Sequence, residues 1–350
     1  MTSRPQTDKA ARATAPRLAA SFGGLLRRPE AGSFLGMMIV FTFCAIFGGI
    51  DFVPTGGLAS WLNVASEIGI VALPIGLLMI AGELDISIGS VIPAAPMSVA
   101  IVSGYYGMPI YLGVAVALGL GLVVGLINGL LVVRTAVPSF IVTLGSMFAV
   151  AGLTLGLSVI ITGSTGVPIK ASPMAKALFG QFIGGKFEVT ILWWAAAIAL
   201  VGFLLHFSRF GNWIFALGGD KVSARNAGIP TDRLTIFLFM GSGVSAAFVG
   251  MCQAILYNSA QASTGSSFVF NSIISVVIGG VLLTGGFGSV VGIVFGTITF
   301  AIVSQGIFYT GFDANWASLI IGVLLLVAVL MNNTFRKMAL AYSPKKKATL

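Results

Sequence analysis

SRFGNWIFALGGDKVSARNAGIPTDR, residues 208–233, is a charged, glycine-bearing interruption between two long apolar runs, 189–207 and 234–257. Gly218-Gly219-Asp220 reads as a turn into a short helix. The Asp220 carboxylate can accept from the first free N–H groups, with Lys221 to Ala227 as the helical turns. Gly228 suits the left-handed residue just past a helix end, and Pro230 stops the helix from continuing. About two turns result, too few to be stable alone. On spacing alone the segment fits either a capped connector or a contact device that docks into a partner.

The surrounding chain fixes the fold class. It has 350 residues, 57% hydrophobic and 8% charged, where a soluble domain carries about 25% charged residues. So apolar a chain with 46 glycines and 26 phenylalanines implies packed transmembrane helices, because glycine lets backbones approach. Apolar runs recur at 34–50, 61–81, 86–103, 111–133, 139–162, 189–207, 234–257, 271–284, 288–309 and 316–333. Each approaches the ~20 residues that cross hydrocarbon. The runs 34–50, 86–103 and 271–284 are short, or broken by Pro93 and Pro96. The expected fold is an all-α integral membrane protein of about ten transmembrane helices. Residues 34–333 form one transmembrane domain, between a basic tail at 1–33 and another at 334–350. The first tail has no short apolar core with a cleavage site, so it is not a secretory signal.

Charge orients the spans. With the amino terminus inside, Arg4, Lys9, Arg12, Arg17, Arg27, Arg28, Arg134, Arg209, Lys221, Arg225, Arg233 and the five basic residues after 333 fall inside. Only Lys170, Lys176 and Lys186 fall outside. This is the positive-inside bias of a multi-pass protein with both termini cytoplasmic. Trp61, Tyr105, Tyr106, Tyr111, Trp193, Trp194, Tyr257, Tyr309 and Trp316 all fall near outer ends, as an interfacial belt. The formal charge of +9 sits in tails and loops rather than on one surface, so no nucleic-acid partner is expected.

The chain carries no sign of a cofactor or metal. Cys44 and Cys252 lie in apolar runs and read as packing residues, and a single histidine makes a zinc site unexpected. Gly180-Gln-Phe-Ile-Gly-Gly-Lys186-Phe187 imitates a phosphate loop, but Phe187 stands where magnesium needs Ser or Thr. No nucleotide site is expected in this chain, and it is not expected to be an enzyme. The loops 163–188 and 208–233 are too short to bury a core. An energy source must therefore be an ion gradient or another polypeptide.

Glycines suggest helix packing and a repeat. Gly121, Gly125 and Gly129 recur every fourth residue, as do Gly288, Gly292 and Gly296. Such stripes let a second helix pack closely. If the fourth and ninth spans correspond, spans 2–5 match spans 7–10 with inverted topology, as in many transporters.

Polar residues inside the spans are the candidate translocation pathway. Glu67 lies about 9 Å deeper than Trp61 and shares a helix face with Asn63. It either lines a pathway or is held neutral by a neighbouring span. Glu83, Asp85 and Ser87 sit in a tight break between spans, where Asp85 or Ser87 could cap the next helix or mark a substrate path. Asn128, Ser139, Thr143 and Ser146 follow in the first half, and Asn271, Ser272, Ser275, Thr297, Ser304 and Gln305 in the second. Hydroxyls in spans also bond back to their own helix.

The run GGDKVSARNAGI resembles the cytoplasmic coupling loop of permease subunits of ABC sugar importers of the ribose, xylose and autoinducer-2 type. Gly218, Gly219, Ala224, Arg225, Gly228 and Ile229 fit a pattern close to Gly-Gly-Asn-x-x-Ala-Ala-Arg-x-x-Gly-Ile, with Asp220 for Asn and Ser223 for Ala. Residues 81–90 (AGELDISIGS), 121–133 (GLVVGLINGLLVV), 137–146 (VPSFIVTLGS) and 284–292 (TGGFGSVVG) are similar to other segments of these permeases, in family order. The resemblance implies a permease dimer, most simply a homodimer. It implies a tandem-domain ATPase at the cytoplasmic loop and a periplasmic sugar-binding protein outside. Transport would proceed by alternating access in the bacterial inner membrane. The alternative is an ion-coupled secondary transporter or facilitator, for which Glu67 is the one acidic residue well inside a span.

Overall fold

The computed structural model describes residues 30–135, 137–263, 265–311 and scattered positions up to 326. Most of the tenth apolar run, most of the first tail and all of the second lie outside the described residues. The architecture is helical, with two short two-stranded ribbons.

Helix α1 (Glu30–Phe47) and the short α2 (Gly49–Phe52) lead to α3 (Thr55–Ile80). Its 26 residues measure about 39 Å, enough to cross a bilayer. A non-helical break, 81–87, precedes α4 (Ile88–Val99), which runs on as a π-helical turn over Ala100–Tyr105. Helices α5 (Ile110–Arg134) and α6 (Ser139–Thr162) follow. The segment 163–189 holds β1 (Gly166–Pro168), α7 (Pro173–Phe179), β2 (Phe182–Ile183) and β3 (Phe187–Glu188). The phosphate-loop imitation is the β2–β3 hairpin, turned by Gly184 and Gly185 at φ +60° and +74°.

Then come α8 (Thr190–Phe207), α9 (Arg209–Gly219), α10 (Lys221–Asn226) and α11 (Thr231–Tyr257). Strand β4 (Ser259–Gln261), which pairs with β1, leads to α12 (Ser266–Ile278) and α13 (Val290–Gly306). Among the described residues eight helices are long and apolar enough to cross a membrane.

Three expectations are corrected. Gly218 and Gly219 do not form the turn before the short helix. They end α9, whose buried face of Gly211, Ile214 and Leu217 holds that polar stretch helical. The run 271–284 is not one span. Helix α12 spans 266–278 with 13 residues, and 279–289 leaves the helix through Gly280, Gly285 and Gly286 at positive φ. The apolar Val281-Leu282-Leu283 made that break read as membrane. Gly288 accordingly lies before α13, against Ile80 and Val281, and not on its helix stripe.

Each half of the chain places a short helix between longer ones: α4 between α3 and α5, and α12 between α11 and α13. The halves interlock, since α5 packs on α11 and α13 on α3. Glycine sets the first distance. A Cβ on Gly121 would fall 2.3 Å from the Gly243 carbonyl oxygen, and one on Gly125 2.3 Å from that of Phe239. Gly129 sits against the Ile236 Cα in the same way. Gly292 and Gly296 instead press on α12, at Gly279 and Ser275. Helices α3, α4, α11 and α13 make the core. The most apolar windows of α1 and α6 are each only 11% buried. Phe148 and Ile160 of α6 are 68% and 81% exposed, a surface stable only out of water.

Candidate functional site

The short helix α10 lies beyond one end of the bundle. The Asp220 Oδ1 accepts from the Ser223 N–H at 2.6 Å, closing the first turn. Those hydrogen bonds hold the Asp220 carboxyl below the usual carboxylate range. At the other end the Ile229 N–H donates to the Ala224 carbonyl at 3.1 Å and the Gly228 N–H to that of Arg225 at 3.0 Å. This is a Schellman ending, with Gly228 left-handed at φ +82°. Ala224 is buried, and Arg225 folds back onto Asp232 and Thr231 of α11. Sequence reasoning missed Val222, which stands 68% exposed on α10.

Lys221 Nζ lies 3.5 Å from the Glu83 Oε1, so α10 is tied to the break after α3. That break is held by a buried polar knot, in which Asp85 Oδ2 is left without a hydrogen-bond partner. Asp85 Oδ1 accepts from the Ser87 N–H at 2.9 Å and from the Ser87 hydroxyl at 2.6 Å. Asn128 Nδ2 donates to Ser87 Oγ at 2.8 Å, and the Ser146 hydroxyl donates to Asn128 Oδ1. The backbone N–H groups of Leu84 and Ile86 donate to Ser139 Oγ and Thr143 Oγ1, both at 3.1 Å. Asp85, Ser87, Asn128 and Thr143 are 0% exposed. Irregular backbone at this depth needs such internal partners. The arrangement orients α4.

A second polar group sits at the opposite end of α3. Asn63 Nδ2 donates to the Lys186 carbonyl at 2.9 Å, and its Oδ1 accepts from the Glu188 N–H at 2.9 Å. Gln253 Nε2 donates to Glu67 Oε2 at 3.0 Å, while Glu67 Oε1 is buried without a hydrogen-bond partner. Thr190 donates to Glu188 Oε2 at 3.1 Å and shares a hydrogen bond with Ser66 at 2.8 Å. Glu188 lies in the segment 163–188, which carries no motif, and Gln253, Thr190 and Ser66 are single polar residues outside any motif.

The structure does not bring the second-half polar residues into either group. The hydroxyls of Ser275, Thr297 and Ser304 bond back to Asn271, Ile293 and Ala301 of their own helices. Asn271 and Gln305 are half-buried. Among the described residues no three His, Cys, Asp or Glu side chains gather as a metal site.

Burial pushes the Glu188 carboxyl above its ordinary range, and the Thr190 hydrogen bond only partly opposes this. The native state therefore favours the protonated acid. Its contribution to stability is full below the unfolded pKa and is lost as pH rises through the raised folded value. Glu188→Gln keeps an acceptor for Thr190 and removes the charge. We expect it to raise the melting temperature at pH 7–8 and to leave it unchanged below about pH 4. A thermal melt at both pH values checks this, and a lower Tm at pH 8 would contradict it.

Residues 57–329 match the family model described as "Branched-chain amino acid transport system / permease component". The chain is 30% identical to the fructose import permease protein FrcC of Rhizobium meliloti, over 87% of this chain and 84% of that protein. It is 30% identical to the galactose/methyl galactoside import permease protein MglC of Escherichia coli K12, over 91% and 96%. It is 28% identical to the ribose import permease protein RbsC of the same strain, over 81% and 87%. No solved structure matches the chain. A helical bundle of membrane-spanning length, interlocked halves and a family match over most of the chain agree: this protein belongs to the family of transport-system permease components.

Proposed function

We propose that this chain is the membrane-spanning subunit of an ATP-driven, binding-protein-dependent importer for a sugar or similar polyhydroxylated solute. One observation carries the reading: α10 is capped at both ends, stands outside the bundle and presents Val222. We assign α10, with Gly218, Gly219, Asp220, Ala224, Arg225, Gly228 and Ile229, as the docking element for a tandem-domain ATPase. Three relatives named for fructose, ribose and galactose import support the solute class. A periplasmic binding protein delivers solute at the end of the bundle that carries Asn63 and Glu67. A second copy of the chain completes the pathway.

Amide and hydroxyl groups exchange hydrogen bonds with a neutral hydroxylated solute without the desolvation cost of a charge. The chain alone in vesicles should move no sugar against a gradient, even with a proton or sodium gradient imposed. Uptake should need the ATPase, ATP and the binding protein together. Concentrative uptake by the lone chain under an ion gradient would defeat the proposal.

The charge distribution supports cytoplasmic termini and a cytoplasmic α10. Single cysteines at Lys221 and Lys176, in a chain without Cys44 and Cys252, should label from opposite faces of the membrane. Labelling of both from one face would contradict this orientation.

A further inference from the structure

Three backbone turns meet at the end of the bundle that carries α10, with no side chain between them. Ile80 ends α3, Gly218 and Gly219 end α9, and Gly285 and Gly286 lie in the break before α13. The Gly286 N–H donates to the Ile80 carbonyl at 2.8 Å. A Cβ on Gly218 would fall 1.7 Å from that carbonyl oxygen and 2.6 Å from the Gly286 nitrogen. A Cβ on Gly285 would fall 2.8 Å from the Gly218 carbonyl oxygen and 3.0 Å from the Gly82 Cα. Every one of these neighbours is main chain, so none can rotate away. Gly82, Gly285 and Gly286 also hold φ of +84°, +82° and +74°, where side-chain-bearing residues are strained.

The turns belong to different working parts. Gly218 precedes by two residues the Asp220 that opens α10. Gly82 lies on the segment that opens α4, whose Leu84 N–H is held by Ser139. Gly286 lies on the segment that opens α13, whose Val290 N–H donates to His206 Nε2 at 3.4 Å. The Lys221–Glu83 pair runs beside the same contact. Main chain packed on main chain has no flexible group to absorb a displacement.

We propose that Gly218, with Gly82, Gly285 and Gly286, forms a side-chain-free joint that makes α10 and the openings of α4 and α13 move as one body. Gly218 is thus a positioning residue for transport. The inference rests on α10 being the ATPase-docking helix.

The test uses the assembled importer of chain, ATPase and binding protein. In Gly285→Ala, whose Cβ would fall 2.8 Å from the Gly218 carbonyl oxygen and which lies outside the docking element, ATPase should still co-purify and hydrolyse ATP at the basal rate. Stimulation by loaded binding protein should disappear, and sugar uptake should fall about tenfold or more, within the usual range of a coupling between sites. Uptake above half the wild-type rate would overturn the joint. A second measurement leaves all four glycines in place. Spin labels at Lys221→Cys and Leu283→Cys, the latter 63% exposed, should keep one separation in nucleotide-free and ATP-trapped complexes. Their distances to a label at Lys176→Cys should change. A change in the 221–283 separation beyond about 2 Å, the usual size of a helix shift at a switching interface, would overturn the proposal. That measurement decides alone if Gly285→Ala fails to assemble. Failure of Val222→Cys to cross-link to the ATPase would instead sink the docking assignment, and the 221–283 separation would still report on the joint.

Discussion

Gly228→Val is expected to abolish sugar uptake and binding-protein-stimulated ATP hydrolysis while the chain still enters the membrane. Gly228 holds φ +82°, and a Cβ there would meet nothing within 4 Å. The effect must therefore come through backbone conformation and not through a clash. A β-branched residue forced left-handed costs about 1–3 kcal/mol. Helix α10 has six residues and little stability of its own. That cost is enough to undo the Schellman ending and release Ile229 from Ala224. Uptake should drop by about tenfold or more. Gly228→Asn, which tolerates the left-handed region, should retain most activity. Unchanged stimulated hydrolysis in purified Gly228→Val complex would show that the C-terminal cap of α10 has no part in coupling.

Asn128→Leu is expected to cause a large loss of stability. Asn128 is 0% exposed and serves two partners, Ser87 and Ser146. Leucine fills similar space but leaves the Ser146 hydroxyl without its acceptor and the Ser87 oxygen without its donor. Each buried polar group left unpaired costs about 1–3 kcal/mol. Ser87 is buried but keeps its bond to Asp85, and Ser146 is half-buried, so about 2–4 kcal/mol is at stake. Ser146→Ala breaks one of the two bonds and leaves the buried Asn128 Oδ1 without its donor, and should cost about 1–2 kcal/mol. Melting of the purified chain in detergent orders these variants. An Asn128→Leu chain that melts with the wild type would mean that the knot around Asp85 does not hold α4.

Local chemistry was legible in the sequence, and long-range contact was not. The Asp220 cap and the left-handed Gly228 follow from residues within a turn of one another, so spacing revealed them. The long spans followed from apolar length alone. Gly218 and Gly219 were recognisable as a motif, yet their use depends on Ile80 and Gly286, distant in sequence. Val281-Leu282-Leu283 has the composition of a span, and only the positive φ of Gly280, Gly285 and Gly286 shows that the chain turns there. Glu67 was conspicuous as a carboxylate in an apolar run. Its partner Gln253 lies 186 residues away, and Glu188 sits in a segment with no periodic pattern.

The seam between α5 and α11 restricts how this molecule can change shape. Gly121, Gly125 and Gly129 bring the two backbones into contact, and the helices come from opposite halves of the chain. Prising the halves apart like the jaws of a clamp would strip that contact along three helical turns and expose main chain to lipid. An opening motion that spares this weld keeps α5 and α11 together and hinges elsewhere in the bundle.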